Sequence, residues 1–238
     1  MIVCALTDIG LQRKENEDFY CADADRGLFL IADGMGGHAG GEVASATAVK
    51  VFKEHYIPVN EKNYEIVFND LIIQANDEIY ELSKKKESLK GMGTTFIALA
   101  VNKEEQKIYI AHVGDSRVYL VRDKTLRRLT EDQNIAAELV RDGKITEEEA
   151  MAHPGQNMLT NALGVYEDFD IDFLSSELKP DDIILMCTDG LIGLVKSEEI
   201  ENIINSNKDL PKAGKKLLNL ALERGGNDNI TMILIKNS

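Results

Sequence analysis

Five apolar residues in a row, Leu28-Phe29-Leu30-Ile31-Ala32, run directly into Asp33-Gly34 and a glycine-rich turn, Met35-Gly36-Gly37. A run that never alternates with polar residues fits a strand covered on both faces, although a short buried helix has the same apolar content. Any fold for this chain must therefore place 28–32 between two other layers and bring a carboxylate out at the edge of the core. An acid there is costly unless a cation or hydrogen-bond donors meet it, and no Lys or Arg follows until Lys50. A metal ion is the natural partner.

Two simpler readings compete. Asp33-Gly34 is also a hairpin signal, but the residues after it are glycine-rich and then helical in pattern, which leaves no second strand to pair back. Gly34-x-Gly36-x-x-Ala39 fits the dinucleotide fingerprint, yet Asp33 would face the pyrophosphate, and no strand ending in an acid follows the helix. The strand-then-acid pattern recurs instead. Ile183-Ile184-Leu185-Met186-Cys187-Thr188 closes on Asp189-Gly190, and Asn227-Asp228-Asn229 precedes the apolar stretch 230–235. Acids at strand ends from three separate parts of the chain suggest one shared site. Gathered carboxylates repel one another unless a cation lies among them, and all-oxygen ligands favour hard ions, magnesium or manganese over zinc or copper. Asp23-Ala24-Asp25 resembles the start of a calcium loop but fails, because the twelfth position is Gly34.

The chain has 238 residues, 44% of them hydrophobic, with no low-complexity linker and no apolar run long enough to cross a bilayer, so one domain over 1–238 is expected. The N-terminus reads as a strand and not as a signal peptide. Cys4, Cys21 and Cys187 lie in strand-like segments without metal or disulfide spacing, which predicts reduced core residues in a cytoplasmic protein. A net charge of −14 argues against nucleic acid or an anionic membrane surface as partner. A phosphorylated ligand would need a local positive centre, which divalent ions and one arginine can supply.

Ala44, Ala48, Val51 and Phe52, and then Val67, Leu71, Ala75, Ile79 and Leu82, recur at helical spacing. Short polar connections join 96–101 to 107–113 and 118–121 to 126–129, which predicts antiparallel hairpins. Helices over 197–204 and 211–222 carry Ile200, Ile203, Leu217, Leu218 and Ala221 inward. Two antiparallel sheets packed face to face and covered by helices is the most economical layering. Residues 132–164 differ: a helical pattern at 135–140, a capping box Thr146-x-x-Glu149 and few large apolar residues predict a mobile lid. His55 and His112 read as structural, and His153 as a lid residue.

Taken in order, Arg13-x-x-Asn16-Glu17-Asp18, Asp33-Gly34, Gly93-Thr94-Thr95, Gly114-Asp115-Ser116-Arg117, Leu129-Thr130-x-Asp132, Thr188-Asp189-Gly190 and Asn227-Asp228-Asn229 resemble the motif series of the type 2C, metal-dependent serine/threonine protein phosphatases, bacterial type. The resemblance spans nearly the whole chain. It implies an α+β fold, a four-layer α-β-β-α sandwich, with two Mn2+ or Mg2+ ions at one edge of the sheets. It implies Asp33 as ligand to both ions, the Gly34 carbonyl on the second, Asp189 and Asp228 on the first, and Asp115 with Asp189 on a third, weaker ion. Glu17 and Asp18 would hold ion-bound waters, Arg13 would clamp the substrate phosphate, and 132–164 would be the substrate-facing flap.

Two positions depart from the pattern: Met35 stands where many relatives have a histidine after Asp-Gly, and Asn161 stands where bacterial members often have an arginine before Ala-Leu-Gly. His38 is the nearby candidate for general acid. The expected reaction is direct attack by an ion-bridging water or hydroxide on phosphoserine or phosphothreonine in proteins, a serine/threonine kinase among the expected partners, by a monomer. A catalytically inactive binding module of the same fold is the alternative.

Overall fold

The computed structural model describes residues 1–36, 40–58, 63–150, 153–165 and 169–237. Residues 28–32 are apolar throughout because their two faces meet different layers. Strand β3 (Leu28–Met35) sends Leu28, Leu30 and Ala32 into a core shared with α1 (Gly40–His55) and α2 (Tyr64–Lys85), while Phe29 and Ile31 point the other way, into the core between two sheets. The period-two alternation of a strand is therefore present, with apolar neighbours on both sides.

One sheet is ordered β1 (Ile2–Asp8), β11 (Ile230–Lys236), β10 (Ile183–Cys187), β7 (Arg117–Arg122), β8 (Thr125–Arg128). The other runs β2 (Asp18–Asp23), β3, β5 (Phe96–Asn102), β6 (Lys107–Val113), β9 (Asp172–Glu177), and the two-residue β4 (Gly93–Thr94) pairs with the end of β3. Every strand pairing among the described residues is antiparallel. Ile97, Leu99 and Ile110 of the second sheet meet Val118, Ile184, Met186 and Ile233 of the first. On the outer face of the first sheet, Leu185, Met232 and Leu234 pack on α5 (Asp189–Ile192), α6 (Ser197–Ser206) and α7 (Leu210–Glu223) through Leu191, Ile200, Leu217 and Ala221. The layering is α-β-β-α, as expected.

Several readings change in detail. Ile203 and Leu218 are only partly buried. Cys187 is a core residue, but Cys4 and Cys21 are half-buried at core margins, because strands β1 and β2 lie at sheet edges with less cover. Strand β9 escaped the sequence because Ser175 and Ser176 interrupt its apolar pattern on an edge. Asp23 closes a hairpin turn, accepting from the Arg26 amide at 3.0 Å and Arg26 Nε at 2.7 Å.

Within 132–164, α3 (Ile135–Arg141) buries only Ala136, and α4 (Glu147–Ala150) buries nothing; the Thr146–Glu149 capping box is formed. The Phe52 ring of α1 meets Phe96 at 4.9 Å and Phe68 at 5.8 Å between centroids, both tilted, joining both helices to the sheet. Phe52→Ala should cost about 3–5 kcal/mol, read as a lower urea midpoint at unchanged slope.

Candidate active site

Alternation along β3 puts Asp33 on the face of Phe29 and Ile31, where the core between the sheets ends. Across the β2–β3 ladder Asp18 stands directly opposite Asp33. The first sheet supplies Asp189, which opens α5 after β10, and Asp228, just ahead of β11. Asp115 joins them from the turn between β6 and β7.

Hydrogen bonds from neutral side chains and backbone fix the segments around Asp33, Asp18 and Asp228. The Thr95 amide and Thr94 Oγ1 both donate to the Asp33 carbonyl at 2.9 Å, and the Asp33 amide donates to Thr95 Oγ1 at 3.1 Å. Thr188 Oγ1 donates to Asp18 Oδ2 at 3.0 Å and accepts from the Thr231 amide at the same distance. Asn229 Nδ2 holds the carbonyls of Ile9 and Glu15, and its Oδ1 accepts from the Glu17 amide, so the Arg13 loop is anchored beside Asp228. Glycine is required at two points by close approach: a Cβ on Gly34 would lie 2.1 Å from the Gly41 carbonyl oxygen, and one on Gly190 would lie 2.0 Å from that of Asn229.

The carboxylates raise one another. Burial first, and then the charges of Asp18, Asp189, Asp115 and Asp228, hold the Asp33 carboxyl well above the ordinary range. Burial pushes Asp18 up to about 7 against the bonds from Thr231 and Thr188. Burial, then the charges of Asp189 and Asp132, pushes Asp115 to about 8 against Arg117. Asp189 is raised by burial and then by Asp228, with a hydrogen bond from Asp33 opposing the rise. Asp18 Oδ1 is buried without a hydrogen-bond partner. Arg13 Nη2 donates to Asp228 Oδ2 at 2.5 Å from a side chain that is 46% exposed.

A family model for protein phosphatase 2C matches residues 12–234. The chain belongs to the protein phosphatase 2C family. The serine/threonine phosphatase stp of Listeria welshimeri is 37% identical over 97% of this chain and 93% of its own. The crystal structure of the Mycobacterium tuberculosis serine/threonine phosphatase PstP/Ppp superposes with a TM-score of 0.91 at 32% identity, covering 100% of this chain and 99% of that one. A structure of the PstP catalytic domain in complex with two manganese ions superposes at 0.88, with 31% identity over 98% of this chain and 96% of its own.

In this phosphatase 2C chain, Asp18, Asp33, Asp115, Asp189, Asp228 and Arg13 gather at one sheet edge. His38 lies outside the described residues. Glu17 is engaged with the start of α1, where its carboxylate accepts from the Gly41 amide. As the side chains stand, no group of three or more His, Cys, Asp or Glu among the described residues is set to hold an ion. Arg13 is bonded to Asp228, Asp33 to Asp189, and Thr188 to Asp18.

The donor set nevertheless fits a divalent cation. It is oxygen throughout, mutually repelling, and includes the orphaned Asp18 Oδ1. The sequence placed Thr94, Thr95, Thr188 and Asn229 in the motif series beside the acids, but carries no linear signal of which groups they hold. Asn161, at the arginine position of relatives, turns inward and donates to Gln133 Oε1 and the Asp170 carbonyl.

Carboxyls raised on folding bind more protons folded than unfolded between about pH 4 and their folded values, so stability falls as pH rises through that window. With Asp18 near 7 and Asp115 near 8, the melting temperature in chelator should drop from pH 5 to pH 8.5. Added Mn2+ should raise it more at pH 8 than at pH 5; a pH-independent melt in chelator would refute this.

Proposed function

We propose that this chain, a member of a serine/threonine phosphatase family, hydrolyses phosphoserine and phosphothreonine in proteins, with two divalent cations, Mn2+ or Mg2+, held by Asp33, the Gly34 carbonyl, Asp189 and Asp228, and a third, weaker one at Asp115 with Asp189. The observation that carries the reading is the convergence of five carboxylates from separate segments at one sheet edge, all but the partly exposed Asp228 withdrawn from water, beside an exposed arginine. Residues 1–238 are proposed as one catalytic domain with 132–164 as its substrate-facing flap. No helix among the described residues is long and apolar enough to cross a membrane, and a cytoplasmic monomer acting on phosphoproteins, a serine/threonine kinase among them, is proposed.

The chain's own groups divide the work. When bound, divalent cations supply positive charge toward phosphoryl oxygens and acidify water. Arg13, half exposed and hydrogen-bonded to Asp228, can turn its guanidinium fork toward two phosphate oxygens. Asp18 and Glu17 are the acceptors that orient water at the site. Protonation of the departing serine or threonine oxygen falls to His38 or to water, and no covalent phosphoenzyme is required.

Manganese-dependent hydrolysis of p-nitrophenyl phosphate or a phosphothreonine peptide, abolished by chelator, is the test. Asp33→Asn, Asp189→Asn and Asp228→Asn should each lower kcat by at least about 10²–10³-fold. Arg13→Ala should act mainly through KM, and an unchanged KM would remove its proposed role. Protein that binds manganese in a calorimeter yet turns over neither substrate would favour the inactive binding module.

A further inference from the structure

The body of the flap has little apolar anchorage, since α3 buries only Ala136 and α4 nothing; beside Ala162 and Leu163, which are buried at its returning end, it is held by polar contacts at its base. Those contacts converge on Gln133. Its Oε1 accepts from the Gly114 amide at 2.6 Å and from Asn161 Nδ2 at 2.8 Å, and its Nε2 donates to Asp172 Oδ2 at 2.8 Å. Its amide donates to the Gly114 carbonyl and its carbonyl accepts from the Thr160 amide, both at 2.9 Å. One residue thus binds the turn that carries Asp115, the returning end of the flap, and the start of β9.

Next to it, the Ile135 amide donates to the Met158 carbonyl at 3.0 Å, and Asn134 and Leu159 form a bridge, which zips the two flap ends together. Beyond the zip, Leu163 exchanges both backbone hydrogen bonds with Thr94, whose Oγ1 holds the Asp33 carbonyl. Asp172 Oδ2 also lies 3.6 Å from Nδ1 of buried His112, whose Nε2 is 2.9 Å from the Ser116 carbonyl. The partners of Gln133 are therefore themselves tied to the Asp115 turn.

We propose that Gln133 is a positioning residue that locks both ends of the flap to the turn bearing Asp115, so that the flap's hold on a phosphoprotein depends on this side chain. The proposal rests on the reading of 132–164 as substrate-facing. Gln133 does not touch substrate; it acts through Gly114, Asn161 and Asp172.

The test is Gln133→Leu, close in volume and without hydrogen bonds, compared with the wild type in two ways. Amide exchange is followed at Ile135 and Thr160, whose own acceptors the substitution leaves in place, and should quicken by roughly tenfold or more as the zip opens more often. With manganese, kcat/KM for a phosphothreonine peptide should fall roughly tenfold further than for p-nitrophenyl phosphate, through KM. Unchanged exchange at both amides, or equal losses for the two substrates, overturns the proposal. If Gln133→Leu does not fold, Asn161→Ala, which cuts the Gln133–Asn161 link, decides by the same readings. A wild type without manganese-dependent turnover would sink the phosphatase reading, and the exchange result would then decide the tether alone.

Discussion

Repulsion among carboxylates withheld from water governs this structure. Asp33, Asp18, Asp189 and Asp115 are each pushed up by burial and by at least one of the others or of their acidic neighbours, and charges a few ångströms apart in a poorly polarisable setting interact far more strongly than in water. The groups that hold them there are mostly neutral. Thr94, Thr95 and Asn229 bind backbone, and Thr188 binds both a carboxylate and the neighbouring strand, so the acids stay in position even though their charges push apart.

That arrangement links stability to function. A site built at electrostatic cost has its strongest affinity for whatever removes the cost, and an oxygen-only set does so with a hard divalent ion. It also resolves a difficulty of composition. A chain with net charge −14 is a poor host for phosphate unless positive charge is concentrated locally. Ions among the acids, with Arg13 at the rim, would provide that concentration while the surrounding surface stays acidic.

The core and the body of the flap are held by different means. Phe29, Ile31, Ile97 and Met186 fill the space between the sheets and bring the strand ends to one edge. The body of the flap is attached by hydrogen bonds at Gln133, Asn134 and Thr94, next to the buried Leu163 at its returning end. Apolar packing is insensitive to direction and gives a rigid frame, whereas a few directional bonds at a base hold a segment in place and still allow it to respond to what it touches.

The apolar runs at 28–32 and 183–187, the helical spacing of Ala44 to Phe52 and the acids that close three strands were readable in order along the chain, because periodicity and burial are local consequences of residue type. The motif order was enough to name the family. Strand β9 was not readable, since Ser175 and Ser176, one on each face of an edge strand, break its apolar signal, and neither was the placement of β11 between β1 and β10, which depends on partners far away in sequence. The sequence by itself determined which acids the site would contain and that they must meet a cation or hydrogen-bond donors. Only the tertiary structure decided which neutral side chains hold them, that Glu17 is drawn to the start of α1, and that Gln133 joins the flap to the Asp115 turn, because a hydrogen bond's partner is chosen by distance and direction in the folded chain, and residue type alone specifies neither.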